Sequence, residues 1–131
     1  MTIVTSLSAS DSHWEGVILE KILFSISKEK NVVIYTEDEN IVSIIKKIKH
    51  ISISKDCKDA DYVLNNLNKL NSSCKKPEIV FDYSIYRKDS NAICVFFWQK
   101  GRPTIRFSAK RLQNFGLKVN GELSKFVSSK N

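Results

Sequence analysis

Two strand-like segments near the carboxyl terminus, joined by a tight turn, decide which folds are open to this chain. Residues 92–98 read AICVFFW, and a Lys-Gly turn separates them from residues 102–107, RPTIRF. Glycine readily adopts the positive φ that a two-residue hairpin turn needs. We therefore predict an antiparallel β-hairpin whose register pairs Gln99 with Arg102.

This register divides the side chains of the hairpin between two faces, because cross-strand neighbours share a face and successive residues alternate. One face is apolar, with Phe96 beside Ile105 and Cys94 beside Phe107. The other face is mixed, and its neighbouring pairs are Phe97 with Thr104, Val95 with Arg106, and Gln99 with Arg102.

The mixed face is the candidate binding surface. Aromatic and Arg side chains together are typical of hot spots in protein interfaces and of platforms for single-stranded nucleic acid. We predict that Phe97, Arg102 and Arg106 contact a partner. The alternative is that a helix covers this face, as helices do in many α/β sheets.

The rest of the chain alternates between helical and strand patterns. A capping box from Ser12 to Glu15 predicts the start of a helix over Trp14 to Ser27. Runs of β-branched residues indicate strands. The predicted strands are Val32 to Tyr35, Ile51 to Ile53 as an edge or one-sided strand, Tyr62 to Leu64, Ile79 to Tyr83, Ile93 to Trp98 and Thr104 to Phe107. Further helical segments are predicted over Ile41 to Ile48, Ala109 to Phe115 and Glu122 to Val127.

The sequence shows no catalytic or metal-binding constellation. His13 and His50 are the two histidines, and neither belongs to a Ser-His-Asp, Cys-His or paired-carboxylate spacing. The four glycines are far apart, so no Gly-rich loop that could hold phosphate is visible. We expect no metal and no cofactor, and an enzyme whose site is assembled by tertiary structure is the third hypothesis.

Two clusters of charge have ordinary structural interpretations. Asp38 and Glu39 follow a predicted strand and Asp82 lies in another, which favours stabilisation of helix N-termini over an acidic pocket of the receiver-domain kind. The basic segment from Lys46 to His50 suits the carboxyl end of a helix, and the alternative is an anion site.

The formal net charge of +7 comes from 21 Lys and Arg residues against 14 Asp and Glu residues. Lysine predominates and is scattered along the chain, so the charge by itself gives little support to an anionic partner. A cytoplasmic nucleic-acid-binding domain that uses the hairpin is nevertheless the second hypothesis. It requires exposed Phe97 and Trp98 and binding that weakens strongly with salt.

The amino-terminal segment and the cysteines bear on cellular location. Residues 1–10 are small and polar, and we interpret them as a flexible segment, the remnant of a replaced leader. Cys57 and Cys74 flank a polar loop, so they are either two small buried hydrophobes or the halves of a disulfide in an exported protein. Cys94 is predicted to stay buried and free.

The last third of the chain resembles a known family. Residues 93–108, ICVFFWQKGRPTIRFS, followed by Arg111-Leu112 and by residues 116–123, GLKVNGEL, resemble the end of the YfiR-like family. The earlier helix and strands follow in the same order as the family's elements. Ser108 stands where the family usually has Asn. The resemblance implies a periplasmic, non-enzymatic α/β domain that regulates a membrane-bound signalling protein, such as a diguanylate cyclase, by direct contact and often forms dimers.

Together these features predict one α/β domain over residues 11–131, a sandwich with a central mixed sheet and flanking helices. The first hypothesis is an exported binding or regulatory module whose partner is a membrane-bound signalling protein. A homodimer and an unidentified small ligand are compatible with it, and nucleic acid is not favoured.

Overall fold

A seven-stranded mixed sheet with helices on both faces forms the core of this chain, for which a computed structural model describes residues 15–65 and 74–128. The fold class is the predicted one. The strands are β1 (Val32–Tyr35), β2 (Ile51–Ile53), β3 (Tyr62–Asn65), β4 (Glu78–Val80), β5 (Ala92–Gln99), β6 (Arg102–Ser108) and β7 (Val127–Ser128). The helices are α1 (15–26), α2 (Glu39–Ile45), α3 (Tyr83–Lys88) and α4 (Ala109–Asn114), with 3₁₀ turns at Cys57–Asp59 and Gly121–Phe126.

The strand order is β2-β1-β3-β4-β5-β6-β7. Strands β2, β1, β3, β4 and β5 are mutually parallel, and β6 turns back antiparallel to β5. The first five strands follow the doubly wound order in which the chain starts near the centre and extends both ways. As predicted, β2 lies at an edge of the sheet.

The hairpin has the predicted register. Gln99 pairs with Arg102, Phe96 with Ile105, and Cys94 with Phe107. Lys100 and Gly101 connect the strands with φ values of 53° and 77°. Two successive positive φ values are typical of the type I′ turn, whose twist matches that of the flanking strands.

Most of the apolar side chains lie on one face of the sheet, where α1 and α2 pack. Leu19, Ile22 and Leu23 of α1 are fully buried there against Ile34 and Phe107. Leu112 of α4 and Leu123 of the last 3₁₀ turn belong to the same cluster.

A second, smaller cluster lies between α3 and the sheet. Its buried members are Val80, Tyr86, Ala92 and Val95. The predicted strand over Ile79 to Tyr83 is wrong in its second half, because β4 ends at Val80 and a helix begins at Tyr83. The Asp82 carboxylate accepts hydrogen bonds from the Ser84 backbone N–H at 2.7 Å and the Ser84 hydroxyl at 2.6 Å. This N-cap outweighs the strand character of the residues that follow.

Side-chain caps also fix two other helices. Asp38 caps α2 by accepting from the Asn40 N–H at 2.8 Å, and Ser108 caps α4 by accepting from the Arg111 N–H at 3.2 Å. Ser and Asn are both favoured N-cap residues, so Ser108 fills a position that suits either. The predicted capping box at Ser12 lies outside the described residues.

Candidate functional site

The candidate site is the far end of the mixed hairpin face, which we call the hairpin surface: Tyr83, Phe97, Arg102, Thr104 and Arg106. One part of this face is covered by a helix, and another part is exposed, as a binding surface would be. Val95 is fully buried under α3, whereas Phe97, two residues nearer the turn, is only half-buried at the margin of the same cluster. Arg102 and Arg106 are exposed.

Tyr83 is the exposed large hydrophobic residue of the described chain, with 41% of its surface accessible. The Arg106 guanidinium donates a hydrogen bond from Nη1 to the Tyr83 hydroxyl at 3.1 Å. The same guanidinium lies 5.5 Å from the centre of the Tyr83 ring. A cation at this distance is attracted by the electron-rich ring face, so the two side chains hold each other in place at the surface.

The Tyr83 side chain packs against a second aromatic ring, and that ring in turn contacts a guanidinium group. The Tyr83 and Tyr86 rings lie 5.8 Å apart, and the Arg111 guanidinium lies 5.0 Å from the Tyr86 ring. Arg111 Nη1 also donates to the backbone carbonyls of Tyr86 at 2.6 Å and Ala92 at 3.0 Å. Arg111 thus joins α4, α3 and β5, and the hairpin surface has a rigid base.

The hairpin surface is cationic. Within residues 15–65 and 74–128, the described ion pair joins Lys21 to Glu122 at 3.7 Å. Neither Arg102 nor Arg106 therefore has a carboxylate partner within 4.0 Å in this part of the chain. Both charges remain available to an acidic group of another molecule.

The structure brings together all three residues that the sequence predicted for the site, since the hairpin register places Phe97, Arg102 and Arg106 on one face. The sequence did not indicate Tyr83 as a site residue, because its segment has the side-chain pattern of a strand. The Asp-Tyr-Ser pattern at positions 82–84 was the available signal, since Asp followed two residues later by Ser is compatible with an N-cap.

Trp98 belongs to the opposite face. Its ring lies 5.8 Å from that of Phe96, and it packs against the main core. The Trp98 Nε1 atom is buried and has no hydrogen-bond partner among the described residues. An aromatic platform made by Phe97 and Trp98 together is therefore not formed.

A buried pair of carboxyl groups lies beside α3, and no pattern in the sequence pointed to it. Glu78 is 6% exposed and Asp89 is 5% exposed. Glu78 Oε1 accepts from Asn65 Nδ2 at 3.1 Å, and Asp89 Oδ1 accepts from the Asn91 N–H at 3.0 Å. Burial, together with the hydrogen bond and negative charge of Asp89, raises the pKa of Glu78 to about 8. The pair is suited to holding one proton between two oxygens and is shielded from any solvent-borne substrate.

The other acidic and basic residues of interest have local structural roles. Asp38 and Asp82 are N-caps, as the sequence favoured. The His50 Nδ1 atom lies 3.3 Å from Asn31 Oδ1. His13 lies outside the described residues. In the described residues no group of three His, Cys, Asp or Glu side chains could hold a metal ion.

Cys57 and Cys74 form a disulfide, with Cα atoms 6.2 Å apart. Of the two alternatives that the sequence left open, two separate buried thiols or a bridge, the bridge is the one formed. The bridge connects the 3₁₀ turn after β2 to Cys74, which lies shortly before the start of β4. Cys94 is free and fully buried, and burial raises the pKa of its thiol. The bridge is compatible with an oxidising compartment.

No helix in the described part of the chain combines the length and apolar character needed to cross a bilayer. A scan against models of known protein families gives no match, and a search of curated proteins gives none either.

Proposed function

We propose that this chain is a non-enzymatic, exported binding module that regulates a membrane-bound signalling protein by direct contact through the hairpin surface. The observation that carries the proposal is the exposed Tyr83 ring held against Arg106, with Phe97 and Arg102 beside it. Tyr and Arg are the side chains most enriched in interface hot spots. The disulfide supports an extracytoplasmic location, and the resemblance of residues 93–123 to YfiR-like proteins supports the regulatory role.

The charge of the surface indicates the chemistry of the partner. Two guanidinium groups that have no carboxylate partner in the described part of the chain favour an acidic contact region, because an Arg and a carboxylate form paired hydrogen bonds in a fixed geometry. The half-buried Phe97 and the Tyr83 ring offer apolar area between them. We therefore expect a partner segment that combines Asp or Glu with an apolar or aromatic side chain.

The nucleic-acid alternative receives less support. A platform for single-stranded nucleic acid stacks successive bases on exposed rings. Trp98 packs on the core face instead. The Tyr83 ring already contacts the Tyr86 ring and the Arg106 guanidinium. One half-buried ring, Phe97, is then left for stacking.

Site-specific photo-cross-linking tests the proposal. A photoreactive amino acid replaces Thr104, which lies between the two arginines, and a matched variant carries it at Ser90, an exposed residue beyond α3. After irradiation with membranes of the cells that express the protein, we expect a protease-sensitive adduct from position 104 alone. An adduct with a soluble nucleic acid, or equal adducts from both positions, would contradict the proposal.

A further inference from the structure

A second surface, separate from the hairpin surface, is a cleft at the opposite end of the parallel strands. It has a volume of about 730 Å³ and opens beside the amino ends of β3 and β4. The hairpin turn lies at the carboxyl end of β5, so the two sites are far apart along the strand direction. Cavities of roughly 300–1,000 Å³ are typical of small-ligand sites.

The charges around this cleft are predominantly positive. Its rim carries four lysines and two acidic residues. One acidic residue, Asp61, already accepts the Val33 N–H at 2.9 Å through Oδ2. We call the site the lysine cleft after its basic residues, which are Lys28, Lys75, Lys76 and Lys118.

The lysine ammonium groups have no carboxylate partner in the described residues, where the ion pair is that of Lys21 with Glu122. Four ammonium groups that have no carboxylate partner among the described residues raise the positive potential of this concave surface, because low-dielectric walls concentrate the field. Such a site attracts anions. The carbonyl groups at the carboxyl end of α1 carry partial negative charge near this cleft. One of them, the Ile26 carbonyl, already accepts a hydrogen bond from the Tyr62 hydroxyl at 3.3 Å.

Part of the lining of the lysine cleft is apolar. Phe115 and Leu117 are half-buried and pack against the main core, and the Tyr62 ring, which is 4% exposed, also lines the cleft. Pro77 adds a further buried apolar side chain. The cleft therefore combines apolar side chains with several ammonium groups, and this combination matches a molecule with one anionic group and one apolar body.

The walls are held in place before any ligand arrives. The Asn120 backbone N–H donates to the Ser25 carbonyl of α1 at 2.8 Å, and Gly116 makes the turn after α4 with a φ of 67°. On the other side, the Cys57–Cys74 disulfide anchors the segment that carries Lys75 and Lys76. A site whose walls are fixed in advance loses little conformational entropy on binding.

We propose that the lysine cleft binds a small organic anion, a carboxylate, sulfonate or phosphate carried on an aromatic or aliphatic body. The lysines bind the anionic group, and Phe115, Leu117 and Tyr62 contact the body. The proposal is independent of the hairpin surface, because it shares no residue with it.

A titration of the oxidised full chain with 1-anilinonaphthalene-8-sulfonate, an aromatic sulfonate that fluoresces in apolar surroundings, tests this proposal. We expect saturable binding, and amide shifts in NMR spectra at Lys76, Leu117 and Asn120 but not at Arg102 or Arg106. Shifts confined to the hairpin, or the lack of saturable binding, would overturn the proposal.

Charge reversal supplies the second arm of the experiment. The double variant Lys75→Glu with Lys76→Glu should weaken sulfonate binding by about tenfold or more, because two attractive charges become repulsive. The matched control Lys46→Glu with Lys47→Glu makes the same change in net charge at the exposed end of α2 and should retain the affinity. Equal losses in both double variants would show a response to net charge alone and overturn the proposal.

A neutral analogue separates the contribution of the anionic group from that of the ring system. N-phenyl-1-naphthylamine carries no sulfonate, so its binding should be weaker and should not respond to the reversal at Lys75 and Lys76. If the neutral compound loses as much affinity as the sulfonate, the effect of the charge reversal does not depend on the anionic group. The assignment of the lysines to the anion is then wrong.

Discussion

Arg106 and Arg111 have the same side chain and opposite roles, and the difference lies in what surrounds each guanidinium. Arg106 is exposed and touches one ring, that of Tyr83. Arg111 is half-buried and holds two backbone carbonyls, those of Tyr86 and Ala92, while lying over the Tyr86 ring. Hydrogen bonds from a charged donor to shielded acceptors contribute more to stability than exposed contacts do.

The first prediction follows from this contrast. Arg111→Ala should lower the free energy of unfolding by about 2–3 kcal/mol, because two buried carbonyls lose their donor. Arg106→Ala, the matched control, should change it by less than about 0.5 kcal/mol. Urea denaturation of the two variants measures both values. Equal losses would show that Arg111 is not the residue that joins α4 to α3 and β5.

Glu78 supplies a prediction about pH. Its carboxyl keeps the proton in the folded chain up to about pH 8, whereas an unfolded chain releases it near 4.5. The folded state then binds more protons between these values, so the contribution of Glu78 to stability is complete below 4.5 and is lost as the pH rises through 8. Since one pKa unit is about 1.4 kcal/mol, a shift from 4.5 to about 8 corresponds to a loss of roughly 5 kcal/mol at most.

Glu78→Gln is the variant that measures this effect. The amide is neutral at every pH and can still donate to Asp89, so the stability of the variant should change much less between about pH 5 and about pH 9. Chemical denaturation at several pH values gives the two slopes. If the variant loses stability with rising pH as steeply as the natural chain does, Glu78 is not the titrating group.

The hairpin and the segment after β4 show why one element could be predicted from the sequence and another could not. The register of β5 and β6 follows from alternation and a two-residue turn, both of which are local. The segment from Phe81 to Ile85 also has strand-like side chains, yet it leaves the sheet because Asp82 caps a helix. The free energy of that choice includes the packing of Tyr86 on Val95, which no local pattern reveals.

Phe97 is partly covered by α3 and partly exposed to solvent. Its truncation should therefore have an intermediate effect on the free energy of unfolding. We expect Phe97→Ala to lower the free energy of unfolding by about 1–2 kcal/mol, because only part of the ring leaves an apolar environment. Phe107→Ala removes a ring that is fully buried in the main core and should cost about 3–5 kcal/mol. If thermal or urea denaturation shows equal losses, Phe97 is a core residue and does not belong to the hairpin surface.

The whole molecule is held together by contacts that connect distant parts of the chain, and these were the least predictable from sequence. The Glu78–Asp89 pair and the lysine cleft each gather residues from several elements. Phe97, Arg102 and Arg106 could be found because one hairpin carries all three, whereas Tyr83 comes to them from a separate helix. The doubly wound order of the first five strands likewise depends on crossovers that the pattern of each strand does not encode.

The disulfide gives a prediction for the entire fold. Cys57 and Cys74 are 17 residues apart in sequence, and a bridge across that separation should stabilise the fold by about 3 kcal/mol through its effect on the unfolded chain. The double variant Cys57→Ser with Cys74→Ser should unfold correspondingly more easily. Thiol counting in denaturant without reductant should find one reactive thiol, that of Cys94, and a count of three would contradict the bridge.

The affinity of the cross-linked partner for two variants tests most directly whether the hairpin surface is where this molecule acts. Arg106→Ala should weaken association by about 2 kcal/mol, since truncation of a central Arg anchor commonly costs this much, and should leave the melting temperature unchanged. Lys88→Ala, an exposed charge at the end of α3, should bind as the natural chain does. Natural affinity in Arg106→Ala would contradict the account and place the contact on another surface.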